Sequence, residues 1–303
     1  MRLAFLLIAC IGLLAPVPSR AQHAYAGSGV IVHSSSAGAA QDLPATLLKP
    51  DGNGPFPAVV ILHDCSGLGA RSSGAPGRWG ALLAGEGYVV IIPDSFLPRG
   101  LPDGVCTAKT ARDSLKVAPM VRIADAFAAL AFLRSLAYVD GKHIAVMGGS
   151  HGGSSTLATL AAPVSENGFA AGIALYPGCA ASYGAWGVTR TGQFRGPVTA
   201  FNGVYTPSAP LLILVGEKDD WTPAEHCRVL AERARAAGKP VTLKIYPGAY
   251  HSFDSPNPPR YLDERNNVNK PEGHGATTGG DPIAWADAIK EVKAFLAEHL
   301  RAM

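Results

Sequence analysis

Six short runs of the chain, 58–63, 88–93, 143–149, 170–176, 211–216 and 241–246, are apolar, most of them through their length. A strand that faces water on one side alternates apolar and polar residues, whereas one covered on both faces does not. Each run ends in a polar or glycine-rich loop. Helical patterns lie between them at 78–86, 120–136, 222–237 and 283–301. The third opens on Thr222-Pro223 and stops at Gly238, and the last follows Asp281-Pro282, which are ordinary start and stop signals. Strands alternating with helices predict an α/β fold: a doubly wound, mostly parallel sheet with helices on both faces. Residues 28–49 predict an antiparallel hairpin at its edge. Residues 180–209 and 252–281 lack a clear period and read as long loops, a length that usually serves function.

The N-terminus stands apart. Arg2 precedes an apolar run over 3–17, then Pro18-Ser19-Arg20-Ala21. That pattern reads as a secretory signal peptide cleaved near Ala21, leaving 22–303 as one domain in the periplasm or outside the cell. The run is too short for stable insertion in a membrane. Leu7-Ile8-Ala9-Cys10 resembles a lipoprotein box, but too few residues precede Cys10 for a signal core, so lipid anchoring is not expected. The net charge of +3 comes from 26 basic and 23 acidic residues without a basic stripe, so nucleic acid is not an expected partner. A monomer is the working expectation. Export would put Cys65, Cys106, Cys179 and Cys227 in an oxidising compartment. Three pairings are open, as is one disulfide with two buried thiols. None of the four has CxxC or metal spacing, and neither metal nor cofactor is expected.

Ser150 lies in Gly148-Gly149-Ser150-His151-Gly152. With 35 glycines in 303 residues, a G-x-S-x-G match is weak by itself. Its context is stronger. An apolar run precedes the serine and a helix-compatible run, 154–162, follows it. In a nucleophile elbow the serine sits on a strained strand-to-helix turn, so small residues are needed on both sides. The competing readings are a glycine-rich packing joint and a phosphate loop, and the latter would need a lysine that this stretch lacks.

A serine nucleophile needs a base, and the base needs an orienting carboxylate. Of the histidines beyond the serine, His251 directly follows an apolar run, where a strand end presents it at the sheet's carboxyl edge. The run 211–216 leads into Glu217-Lys218-Asp219-Asp220-Trp221. One aspartate can accept from the histidine while the other caps the next helix. The order serine, aspartate, histidine is that of α/β-hydrolases. The N–H of His151 is the expected first oxyanion donor. The second belongs to the loop after an early strand, Asp64-Cys65-Ser66-Gly67, and the N–H of Cys65 is the candidate. His63 and Asp64 could pass for metal ligands, but without HxxxH or HExxH spacing they read as a strand-end pair orienting this loop.

With those residues assembled, the chain resembles the dienelactone hydrolase family over about residues 40–300. The resemblance rests on HDCSGL (63–68), GYVVIIPDSF (87–96), GGSHGG (148–153), GEKDDWTP (216–223) and YPGAYHSFD (246–254). It implies an α/β-hydrolase fold, with Ser150 as nucleophile, His251 as base and Asp219, rather than Asp220, as acid. Two departures matter. Founding members use a cysteine nucleophile where this chain has Ser150. They also place an arginine shortly after the HSF motif, where this chain has Asp254-Ser255. Arg99 falls near another such arginine with altered spacing, which makes it a candidate for the substrate pocket together with Asp64, Trp221 and Tyr250. Trp79, Phe96 and Trp186 could also line a pocket, although packing is their commoner use. The family look also suggests the disulfides Cys65–Cys106 and Cys179–Cys227.

The expected activity is therefore a serine hydrolase acting on a small carboxylic ester or lactone. The rivals are a peptidase or a polyester- or carbohydrate-ester hydrolase on the same fold, and an exported binding protein with a silent site.

Overall fold

The computed structural model describes residues 27–36, 39–107, 110–163, 167–192 and 196–300. The expected signal peptide and Cys10 lie outside them. In chain order the first elements are β1 (Ser28–Ser36), β2 (Ala39–Leu48), β3 (Phe56–Leu62), α1 (Ala75–Gly85), β4 (Val89–Pro93), α2 (Ala111–Lys116), α3 (Arg122–Arg134), β5 (Val139–Gly149) and α4 (His151–Ala161). Then follow β6 (Ala171–Leu175), β7 (Gly187–Arg190), β8 (Val198–Asn202), β9 (Leu211–Gly216), α5 (Ala224–Ala236), β10 (Val241–Tyr246), β11 (Arg260–Asn266), β12 (His274–Thr278) and α6 (Pro282–Leu300).

Eight strands form one sheet in the order β1-β2-β4-β3-β5-β6-β9-β10. From β4 to β10 all neighbours are parallel, while β2 is antiparallel to both β1 and β4. This is the doubly wound sheet with an edge hairpin that the apolar runs predict. Every residue of β4, β6 and β9 is buried. That explains why those stretches carry no alternation: helices cover both faces. The chain order brings the carboxyl ends of β3, β5, β6, β9 and β10 to one rim of the sheet, where loops collect.

Three features depart from the sequence reading. Residues 180–209 and 252–281 are not plain loops. Each carries a two-stranded antiparallel ribbon, β7 with β8 and β11 with β12. Most residues of β8 and β11 are exposed, so no buried face imposed a period on them. Helix α4 begins at His151, three residues before the predicted start. Its early glycines are poor helix formers, but packing against the end of β3 requires them there. The six-residue α2 also went unread, although Thr110 caps it by accepting the Asp113 N–H at 3.3 Å.

Both disulfides form as the resemblance suggested: Cys65–Cys106 and Cys179–Cys227, each with Cα atoms 5.0 Å apart. They close loops of 41 and 48 residues. By chain entropy each contributes about 4 kcal/mol. Disulfides persist in oxidising compartments. Among the described residues, no helix is long and apolar enough to cross a membrane.

Candidate active site

Ser150 sits between β5 and α4 with φ 53° and ψ −116°. A non-glycine residue in that region is strained by about 1–3 kcal/mol, so the surroundings must enforce it. Close backbone packing does so. A Cβ on Gly152 would overlap the Leu62 carbonyl oxygen, and one on Gly148 would overlap the Gly152 backbone. The glycines let α4 start hard against the end of β3, and its first turn faces the serine with free N–H groups.

Three strand ends then converge. His251 Nε2 lies 2.9 Å from Ser150 Oγ, and His251 Nδ1 lies 2.8 Å from Asp219 Oδ2. All three residues are buried. With Nδ1–H donating to Asp219, Nε2 is left to accept the serine proton. The other oxygen of Asp219 accepts the N–H groups of Trp221 at 3.0 Å and Thr222 at 2.7 Å. The Thr222 hydroxyl reaches Asp219 Oδ2 at 2.8 Å. The His251 ring is also packed on two sides, by the ring of Trp221 at 4.8 Å and that of Tyr176 at 4.8 Å. His226, His274 and His299 are engaged elsewhere, against Phe201, Asp263 and Phe295.

Asp220 is the other aspartate of the pair, and it turns away. Its carboxylate accepts from the Thr277 N–H at 2.7 Å and thereby ties β12 to this loop.

The opposite flank of Ser150 is the turn after β3. Among the described residues, the N–H groups of Cys65 and His151 donate to no acceptor. Asp64 shapes the turn from beneath. Its carboxylate accepts the Ser66 N–H at 2.7 Å and the hydroxyls of Ser66 and Ser73. The Cys65 carbonyl accepts the Val105 N–H at 2.7 Å, alongside the Cys65–Cys106 bridge. His63 donates from Nδ1 to the Asp64 carbonyl and accepts the Ser95 N–H at Nε2. It is therefore neutral, and burial followed by the nearby Arg122 charge holds its pKa well below the ordinary value.

Two cavities flank Ser150, His251 and Asp219. One of about 220 Å³ opens between Ser66 and Ser252 and is lined by Arg71, Arg78, Arg260 and Arg265. The other, about 180 Å³, is bounded by Trp221, Thr222, Tyr183 and His226. Among the described residues Asp64, Cys65 and Cys106 have the spacing of a metal site. The two sulfurs are bonded to each other, so no thiolate ligand is available there.

Residues 43–300 match the dienelactone hydrolase family. The chain belongs to the dienelactone hydrolase family. A candidate carboxymethylenebutenolidase from Yersinia pestis is 27% identical over 231 residues, 74% of this chain and 78% of that one. A candidate 2-oxo-3-(5-oxofuran-2-ylidene)propanoate lactonase from Bradyrhizobium sp. is 28% identical over 216 residues, 69% and 78% of the two chains. Among solved structures, a candidate dienelactone hydrolase from Klebsiella pneumoniae aligns with TM-score 0.62 at 19% identity, covering 90% of this chain and 99% of that one. Esterase 2 of Thermogutta terrifontis aligns with TM-score 0.60 at 19% identity, covering 92% and 97%. These neighbours share the α/β-hydrolase fold.

Within this dienelactone hydrolase framework, the pocket expectations need correction. Arg99 does not face a substrate. Both its terminal nitrogens hold Asp125, at 2.9 Å each, and Nη1 also donates to the Ser95 carbonyl. A guanidinium so engaged and buried has no fork left for a ligand. Asp64 likewise braces the turn, as its hydrogen bonds show. Tyr250 lines neither cavity; Lys218 lies over its ring at 5.9 Å. Trp79, Phe96 and Trp186 are buried packing. Trp221 alone of the named pocket candidates both touches His251 and lines a cavity.

Other supporting residues gave little sign in the sequence. Asp254 occupies the region where founding members carry an arginine. It is buried, which raises its pKa, and it accepts the Tyr176 O–H and the Trp79 N–H at 2.8 Å each. Tyr176 in turn underlies the elbow, so a Cβ on Gly149 would fall 2.6 Å from its hydroxyl. Thr222 read as a helix start. Nothing in the sequence marked Arg122, the first residue of α3.

Proposed function

We propose that the protein is a serine hydrolase that cleaves a carboxylic ester or lactone through an acyl-enzyme on Ser150. The observation that carries this is the continuous hydrogen-bond line Ser150–His251–Asp219 on a strained strand-to-helix turn. His251 Nε2 takes the Ser150 proton as Oγ attacks the substrate carbonyl. Asp219 orients the imidazole and stabilises its cation, and the N–H groups of Cys65 and His151 receive the developing oxyanion. His251 then protonates the leaving alkoxide. Water, deprotonated by the same histidine, resolves the acyl-enzyme and restores Ser150. In a lactone the leaving alkoxide stays attached to the acyl group, so one hydroxy acid is released.

The arginine-lined cavity beside Ser66 and Ser252 supports a substrate that carries an anionic group. This agrees with relatives named for carboxylated lactones, and Arg71, Arg260 and Arg265 take the role expected of Arg99, while Arg78 is held by the Ser73 and Asp254 carbonyls. Export with cleavage after Ala21, and function of 22–303 as one monomeric domain, complete the reading; the two disulfides support export.

The test is turnover of a short p-nitrophenyl ester by the mature protein with Ser150→Ala as control, together with fluorophosphonate labelling. Labelling at Ser150 and loss of turnover in the variant are expected. Full activity in Ser150→Ala overturns the proposal. A carboxylated ester is expected to outcompete its neutral analogue in kcat/KM, and Arg265→Ala to narrow that difference.

A further inference from the structure

Arg122 opens α3, yet its side chain is fully buried. Burying a guanidinium is costly unless its N–H groups are matched. Asp125, one turn along, is not its hydrogen-bond partner, because its carboxylate is occupied by Arg99 and by the Ser34 hydroxyl at 2.8 Å. Among the described residues, Nε and Nη2 of Arg122 have no partner. Only Nη1 is matched. It donates to the His63 carbonyl at 2.8 Å and lies 2.9 Å from His151 Nδ1. The guanidinium also rests over the Phe96 ring at 5.2 Å, and the rings of His63 and His151 stand edge-on to that same phenyl.

The two contacts of Nη1 fall on the two segments that flank Ser150. His63 is two residues before Cys65, and His151 immediately follows the serine. We infer that Arg122 is the positioning residue of the oxyanion hole, a single buried guanidinium that holds the turn after β3 and the first residue of α4 at one fixed separation. This rests on the ester-hydrolase reading above.

The chemistry of the contacts agrees. A Nδ1 atom that accepts from a guanidinium carries no proton. His151 is accordingly neutral, its pKa lowered to about 3 by burial and by the Arg122 charge. Burial lowers the pKa of Arg122 itself to about 10, which leaves it charged at neutral pH; Asp125, Asp64 and Asp94 act in the other direction through space. The arginine touches no reacting atom. It acts through two backbone segments whose N–H groups must lie about 2.7–3.1 Å from an oxygen that becomes negative only in the transition state. Misplacement by about 1 Å is worth about 10²-fold in rate. The loss should therefore fall on kcat and spare ground-state binding.

The test uses the mature protein, a p-nitrophenyl ester and a boronic acid that adds to Ser150 as a tetrahedral anion. Arg122→Met is expected to lower kcat by about 10²-fold with KM within about threefold, and to raise the boronate Ki in parallel with the fall in kcat/KM. Arg122→Lys, which keeps the charge but not the fork, is expected to recover part of the loss. Combined with His151→Leu, which retains the backbone N–H, Arg122→Met should be strongly non-additive. Unchanged kcat, a loss confined to KM, or an additive cycle overturns the inference. If Arg122→Met does not fold, Arg122→Lys decides alone, and wild-type kcat in it overturns the inference. Wild-type turnover by Ser150→Ala would instead sink the hydrolase reading and this inference with it.

Discussion

The two flanks of Ser150 are built by different means. On one flank, Asp219 and His251 follow neighbouring parallel strands, β9 and β10; Asp219 is held by its own turn, and His251 by the Asp219 loop and by the ring of Tyr176. Asp219 is held by the N–H groups of Trp221 and Thr222, two and three positions along. On the oxyanion side the support is long-range. The turn after β3 is tied to Cys106 by a disulfide, to α3 by Arg122 and to the elbow by the fit of Gly152 against Leu62. The first flank rests largely on local turn chemistry around Asp219. The second depends on buried groups brought together from remote parts of the chain.

That contrast can be broken most forcefully at the base. His251→Ala should lower kcat by roughly 10⁶-fold and Asp219→Ala by roughly 10⁴-fold. Asp220→Ala, one residue away, should leave turnover nearly intact and lower Tm instead, since Asp220 holds β12. Parallel kinetics and thermal melts on the three variants check this; equal losses at 219 and 220 would contradict the assignment of the acid.

The disulfides sharpen the comparison. Removing Cys65–Cys106 or Cys179–Cys227 by paired serine substitutions should destabilise the protein similarly, by about 4 kcal/mol each on loop length. Only the first should also depress kcat, by about tenfold, because it frees an oxyanion donor. Equal kcat in both would mean that the turn holds its shape without the bridge. A smaller effect is expected at Thr222→Val, which removes a hydroxyl bond to Asp219 at 2.8 Å and should reduce kcat only a few-fold, by about 1 kcal/mol.

The last prediction concerns acid. His63 and His151 are neutral in the folded chain with pKa values below the ordinary 6.5, that of His151 at about 3. Each therefore contributes stability that is fully present above about pH 6.5 and is lost as pH falls toward the folded value. The slope approaches about 1.4 kcal/mol per pH unit for each histidine. Melting temperatures from pH 7.5 down to 4.5 should fall accordingly, and His151→Phe should flatten part of the decline. A pH-independent Tm across that window would contradict the burial of both rings as neutral groups.

The same contrast separates what could be read from sequence from what could not. The inner sheet strands announced themselves because burial on both faces leaves uninterrupted apolar runs, and Ser150 and Asp219 each follow one; His251 follows the edge strand β10, whose run is interrupted by Thr242 and Lys244. The exposed ribbons β7–β8 and β11–β12 have no buried face to impose a pattern. Arg99 was misjudged because a resemblance in position says nothing about the partner waiting there, and Asp125 lies 26 residues on. Arg122 could not be told from a solvated helix charge, since only the folded chain places His63, Phe96 and His151 around it.

The geometry of the elbow also bears on how the family varies. Positions 148 and 152 are closed to any side chain by the backbones pressed against them, whereas position 150 is held in a conformation that burdens serine and cysteine alike. The strain belongs to the site rather than to its occupant. An exchange of oxygen for sulfur at this one position can therefore leave the scaffold untouched, because the turn is set by its neighbours.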